Sequence, residues 1–296
     1  MNPATDSILS TDDLAQLSVE CDQACPTLAD ALISLKQRLG PYASPYLGSG
    51  FEYQESRPYQ PGDALKQLNW RYFARSGELF TRLYEQERQA RLLLVVDQRQ
   101  VMRFGTRVRL KVQQAVRLAL GLVRLASAEG MAVQLLPLAD HGALSPLLQG
   151  RTALDQAEAL LNQPCPPGEP TPDDWEAVRL PVEQLPAGSL IVLIGDLMDL
   201  EANTARWFTE QAPYKATAAV WVQDQAEWQV PPGRYELHDL QGQTGAPVDA
   251  ARAQGYAAWA QERFGAQQRQ LAEQGMILYR LWGHARLHEF EVLSDG

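Results

Sequence analysis

Cysteine is scarce: Cys21, Cys25 and Cys165 are the only three in 296 residues. So sparse and odd a set excludes a disulfide framework and suits a reducing compartment. Cys21 and Cys25 stand one helical turn apart, a spacing that two zinc ligands can use, but no second pair follows to complete a tetrahedron. Both are therefore read as buried or half-buried thiols. Long apolar runs are missing as well. Nowhere do about 18 uncharged apolar residues follow one another, and the first seven residues show no basic segment leading into an apolar one. The expectation is a cytoplasmic protein with no membrane span. Positive charge is in deficit, 26 Lys and Arg against 36 Asp and Glu, for a net −10. That balance argues against a chain whose main task is to grip phosphate backbones, so no nucleic acid is expected as a partner. The chain contains no phosphate-loop lysine motif, nucleophile elbow or His-Glu-x-x-His, and Gly48-Ser-Gly50 precedes no helix and lacks a third glycine. His284 and His288 have the spacing of a helical ligand pair, yet near the chain end an exposed strand or frayed tail is the plainer account. With neither a nucleophile nor a base to name, the chain reads as a non-enzyme and a hydrolase is set aside.

What is present begins with Arg91-Leu-Leu-Leu-Val-Val-Asp97, five aliphatic residues between a charged entry and a carboxylate exit. No polar residue alternates within it, the mark of a parallel strand covered on both faces. Ser189-Leu-Ile-Val-Leu-Ile-Gly-Asp196 repeats the pattern. Strands are also expected over 131–138, 143–148, 216–223, 235–239 (a short edge strand) and 276–281. Helices are expected over 107–129, with Phe104-Gly-Thr106 as turn and cap, and over 152–162, 175–185, 200–211 and 249–274. Alternation over some 190 residues predicts an α/β fold with a doubly wound, mostly parallel sheet. Before it, 1–47 form a helical appendage whose helical run is broken around Pro26, and 48–88 a small β-containing subdomain; the sheet domain spans 89–296. A Pro-rich stretch over 163–172 reads as a stiff exposed loop. Arg107, Lys111, Arg117 and Arg124 recur along one side of the long helix, where a solvated face is expected.

In the small subdomain aromatic and arginine residues interleave, among them Arg57, Tyr59, Trp70, Arg71 and Arg75, with Asp63 in a turn. Arginines stacked on rings and paired with acids explain such a cluster structurally. A partner-binding surface explains it functionally, and Arg57, Tyr59, Asp63, Trp70, Arg71 and Arg75 are its candidates.

Adjacent parallel strands bring Asp97 and Asp196 to one edge, with Thr152 opening the intervening helix. Two carboxylates and a hydroxyl outline a hard-cation site. Aspartate after the first strand, threonine in a later loop and aspartate after the fourth strand resemble the metal-dependent adhesion site of von Willebrand factor A domains. Arg57-x-Tyr59-x-Pro61-Gly62-Asp63, Leu68-Asn69-Trp70, Ala74-Arg75 and Asp224-Gln-Ala-Glu227 resemble the bacterial family named domain of unknown function 58, whose usual aspartate is here Asn69. That resemblance implies a von Willebrand factor A-like, Rossmann-type fold. It also implies a partnership with a MoxR-type AAA+ ATPase in assembling or remodelling a client protein. Where the adhesion motif carries two serines, this chain has Arg99 and Val101. Arg99 is expected to replace the metal by pairing with Asp97 or Asp196, leaving no cofactor. The alternative is a Mg²⁺-dependent ligand-binding module held by Asp97, Thr152 and Asp196.

Overall fold

The computed structural model describes residues 7–39, 53–59, 70–84, 90–106, 108–139, 142–163, 174–239 and 242–295. Asp63, Asn69, Arg107, Cys165 and most of the Pro-rich loop lie outside them. Two compact units result, residues 44–89 and the remainder of the chain.

In the small unit, β1 (Tyr53–Pro58) pairs antiparallel with β2 (Phe80–Tyr84), and the short helix α2 (Trp70–Ser76) lies between them in sequence. Gly77 ends that helix at φ 74°, a conformation that suits a residue without Cβ. Tyr72 packs on Phe80 at 4.4 Å between ring centroids.

The large unit opens with α1 (Thr11–Gln37), capped by Ser10 and Asp13, which exchange side-chain and backbone hydrogen bonds. No break occurs at Pro26, contrary to the sequence expectation. Pro26 lies on the exposed side of the helix, where the carbonyl it orphans can turn to water, while Ala24 and Leu28 on the inner side stay packed.

The remaining elements follow in alternation. They are β3 (Arg91–Asp97), α3 (Lys111–Ala128), β4 (Ala132–Leu138), α4 (Ala153–Leu161), α5 (Arg179–Glu183) and β5 (Leu190–Gly195), then α6 (Ala202–Glu210) and β6 (Ala216–Gln223). The hairpin β7 (Gly233–Asp239) and β8 (Gly242–Val248) precedes α7 (Ala250–Glu273), β9 (Ile277–Trp282) and β10 (Glu291–Asp295). The main sheet runs β10-β9-β6-β5-β3-β4, parallel except for β10.

Leu92, Leu94 and Val96 face the layer of α1, α3 and α4, whereas Leu93 and Val95 face the layer holding α5, α6 and α7. Both faces of β3 are thus covered, as its unbroken apolar run requires.

Four local expectations are corrected. Residues 143–148 form no strand; Leu148 makes a single antiparallel bridge to Val133, with a further backbone bond from Ser145 to Leu135. The stretch at 235–239 is no edge strand of the main sheet but half of a separate hairpin. The long helix starts at Lys111, because Thr106 gives its amide and hydroxyl to Asp224 (3.0 and 2.5 Å) instead of capping it. The expected solvated stripe on α3 is largely internal. Lys111 and Arg117 are each 1% exposed, and α1 supplies the acids for the lower part of the stripe.

Arg117 pairs with Glu20, which also accepts the Leu287 amide at 2.6 Å, and Arg124 pairs with Asp22 at 2.5 Å. Arg117 Nε and Nη1 have no hydrogen-bond partner among the described residues, so its charge leans on Glu20. Glu20→Ala is expected to cost roughly 3 kcal/mol, since it strands a buried guanidinium. A lowered midpoint in urea unfolding at unchanged slope checks this.

Candidate functional site

β3 lies between β4 and β5, so the sheet's winding reverses beside it and a crevice opens at the carboxyl ends of β3 and β5. Asp97 closes β3 and is wholly buried; Asp196 follows β5 and is 8% exposed. Gly195, just before Asp196, leaves room for the Asp97 side chain. A Cβ there would stand 2.3 Å from Asp97 Cβ.

Arg99 turns back on Asp97. Its backbone amide and Nε both donate to Asp97 Oδ1 at 3.0 Å, and Nη2 donates to Oδ2 at 2.9 Å. Nη1 donates to Asp174 at 2.9 Å and to Asp199 at 2.5 Å, and Nη2 donates again to Asp199 at 3.2 Å. Every side-chain N–H of this guanidinium therefore meets a carboxylate oxygen. Trp175 lies under the guanidinium, 5.3 Å from ring centroid to Cζ, and gives its own Nε1 hydrogen to Asp199 at 2.9 Å.

A second cation holds the other aspartate. Lys111 Nζ, at the first residue of α3, reaches Asp196 Oδ2 at 2.8 Å and Glu227 Oε1 at 2.6 Å. The Met198 amide takes the remaining Asp196 oxygen at 3.0 Å. Glu227 is itself fixed by the Asp224 amide at 2.7 Å.

Burial alone would lower the pKa of Arg99, but hydrogen bonds from it to Asp97 and Asp199 and their charges outweigh that and raise it. Lys111 is raised in the same way, burial being overcome by the charges of Asp196 and Glu227. Burial pushes the Asp97 and Glu227 carboxyls up, and the cation beside each opposes that push.

Of the sequence candidates, Asp97, Asp196 and Arg99 meet at this edge; Arg99 takes Asp97, and Lys111 takes Asp196. Thr152 is exposed, and no hydrogen bond joins it to either aspartate among the described residues. Asp97 Oδ1 already accepts two N–H groups, and the guanidinium covers Oδ2. A divalent cation needs such oxygens open at about 2 Å, and a fixed positive charge beside them repels it. This donor set as arranged does not fit that ion.

Sequence reasoning missed Asp174, Trp175, Asp199, Lys111 and Glu227. The closeness of Asp199 to Asp196 and the Asp224-Gln-Ala-Glu227 stretch were the available signals, and neither names a partner across the fold.

In the small unit Trp70 is 58% exposed, and Tyr72, Phe73 and Leu79 are exposed beside it in sequence. Arg75 is exposed and Tyr59 half-buried, its amide bonded to Leu79 at 2.9 Å. Arg57 and Arg71 belong to β1 and α2, their side chains outside the described part.

A family profile described as protein of unknown function DUF58 matches residues 55–269. Among solved structures, the chain is similar to BatB from Bacteroides thetaiotaomicron, at 13% identity and TM-score 0.37 over 63% of this chain and 98% of that one. It is similar to an aerotolerance-related membrane protein from Bacteroides fragilis, at 15% identity and TM-score 0.36 over 63% and 98%. The SpRpn10 VWA domain gives 10% identity and TM-score 0.37 over 70% and 98%. No curated protein sequence matches the chain. Among the described residues, no helix is long and apolar enough to cross a membrane.

Proposed function

The chain belongs to the family described as protein of unknown function DUF58, and from that premise we propose that it is a non-catalytic interaction protein with a von Willebrand factor A-like fold. Its partner is a MoxR-type AAA+ ATPase, with which it assembles or remodels a client protein in the cytoplasm. Recognition uses surface shape and polar contacts in place of a bound cation.

The observation that carries this reading is the saturation of Arg99 by Asp97, Asp174 and Asp199 at the strand-end crevice. An adhesion site of the metal-dependent kind offers a cation's open position to a partner's carboxylate. Here a guanidinium with no free donor occupies the neighbourhood. The exposed Trp70, Tyr72, Phe73 and Arg75 supply the residue types that dominate binding energy at interfaces.

Thermal unfolding with and without millimolar Mg²⁺ or Mn²⁺ tests the site. A bound ion at about a hundred times its Kd would add about 2.7 kcal/mol. The expected melting temperature is unchanged; a rise of several degrees would favour the Mg²⁺-dependent module. Affinity capture with and without ATP tests the partner. An AAA+ ATPase retained by the wild type and by Asp97→Ala, and lost with Trp70→Ala, is the expected pattern.

A further inference from the structure

A second feature lies on the same edge, at the carboxyl ends of β6 and β9. A pocket of about 300 Å³ is lined by Gln225, Trp228, Gln229, Arg280, Trp282 and His284. Its size suits one large side chain or a small ligand.

Two indoles and a guanidinium give it its chemistry. Arg280 Cζ stands 4.7 Å from the Trp228 ring centroid and 5.1 Å from that of Trp282, and the His284 ring stacks on Trp282 at 6.3 Å. Arg280 gives Nε to Gln223 Oε1 at 2.8 Å and one Nη1 hydrogen to Glu291 at 3.2 Å. A guanidinium has five N–H donors, so among the described residues the rest of the fork is uncommitted. This is the reverse of Arg99, whose fork is full.

Glu291 indicates what such donors take. Its two oxygens bridge Arg280 Nη1 and Trp282 Nε1 (3.2 and 3.1 Å), yet its side chain is half exposed and, among the described residues, held only by that pair. A carboxylate is thus already the group that this rim accepts, with room for another beside the indoles. Planar bidentate recognition of carboxylates is what a guanidinium fork fixed on aromatic faces does well.

We infer that this pocket binds the free C-terminal carboxylate of a partner polypeptide whose last residue is aromatic or large and apolar. Arg280 holds the carboxylate, Trp228 and Trp282, in edge-to-face contact with each other at 6.2 Å, form one wall beside the terminal side chain, and the Gln225 and Gln229 amides face the preceding peptide group. The site does not depend on the ATPase reading, and its failure would leave that reading intact.

Acetyl-glycyl-phenylalanine with a free carboxylate, titrated into the full chain carrying ¹⁵N-labelled tryptophan, provides the test. Saturable shifts of the Trp228 and Trp282 indole resonances are expected, with at least tenfold weaker binding of the same peptide as its amide. Arg280→Gln is expected to abolish the shifts. If that variant does not fold, the comparison of acid with amide still decides. Equal binding of acid and amide, or no shift with either, overturns the inference. So does equally tight binding of acetyl-phenylalanyl-glutamyl amide, which would assign the pocket to a side-chain carboxylate.

Discussion

Arg99→Met is expected to lower stability by about 3–5 kcal/mol, because it leaves the wholly buried Asp97 with a charge and no cation beside it. For a unit of this size that corresponds to a fall in melting temperature of about 10 °C. Asp174 and Asp199 are less affected, since their side chains are 25% and 34% exposed and water can take over. The loss also depends on pH. Burial already pushes the Asp97 carboxyl above its ordinary value, and without the guanidinium only the backbone amide of residue 99 still opposes that push. An acid whose pKa is higher folded than unfolded contributes stability that is present below its unfolded pKa and lost as pH rises through the folded one. The deficit of Arg99→Met is therefore expected to be smaller at about pH 5 than at about pH 8. Asp97→Asn combined with Arg99→Met is expected to recover part of the loss, as it removes the stranded charge. Urea unfolding of the two single variants and the double variant at both pH values measures all of this. An Arg99→Met protein as stable as the wild type would show that the guanidinium does not hold the crevice together.

Removal of residues 1–39 is expected to prevent folding of the sheet unit. Ile8, Leu9, Leu17, Cys21, Ala24, Leu28, Leu35 and Leu39 are buried in the same apolar cluster as α3 and the inner face of β3. At about 1.5–3 kcal/mol for each large side chain, their loss amounts to roughly 10 kcal/mol, comparable with the whole stability of a typical domain. It also uncovers Arg117 and Arg124, whose acids are Glu20 and Asp22. A truncated protein lacking near-ultraviolet circular dichroism and binding a hydrophobic dye is the expected outcome. A cooperative melt near that of the full chain would make α1 a detachable strap.

The sheet was legible because its evidence is local. An aliphatic run such as 92–96, or 190–194, too short for a typical helix, carrying β-branched residues and bounded by polar groups, reads as an inner parallel strand from its own residues. Local evidence also exposed Arg99 as a departure within a motif. It misjudged Lys111 and Arg117, because spacing on a helix reports which side chains share a face and is silent about what that face meets. Pro26 misled for a related reason, since the cost of a helical proline depends on whether its neighbouring carbonyl faces water or protein.

The chain alone indicated the layered α/β architecture, the placing of Asp97 and Asp196 at one edge, and a cation, Arg99, beside one or other of them. Which acid each cation serves was decided only in three dimensions. Asp174 and Asp199 come to Arg99 from 75 and 100 positions away, and Glu227 comes to Lys111 from 116. Charges meet across such separations because buried ions cannot stay unpaired, and only the packed sheet fixes which of the available partners lies within reach.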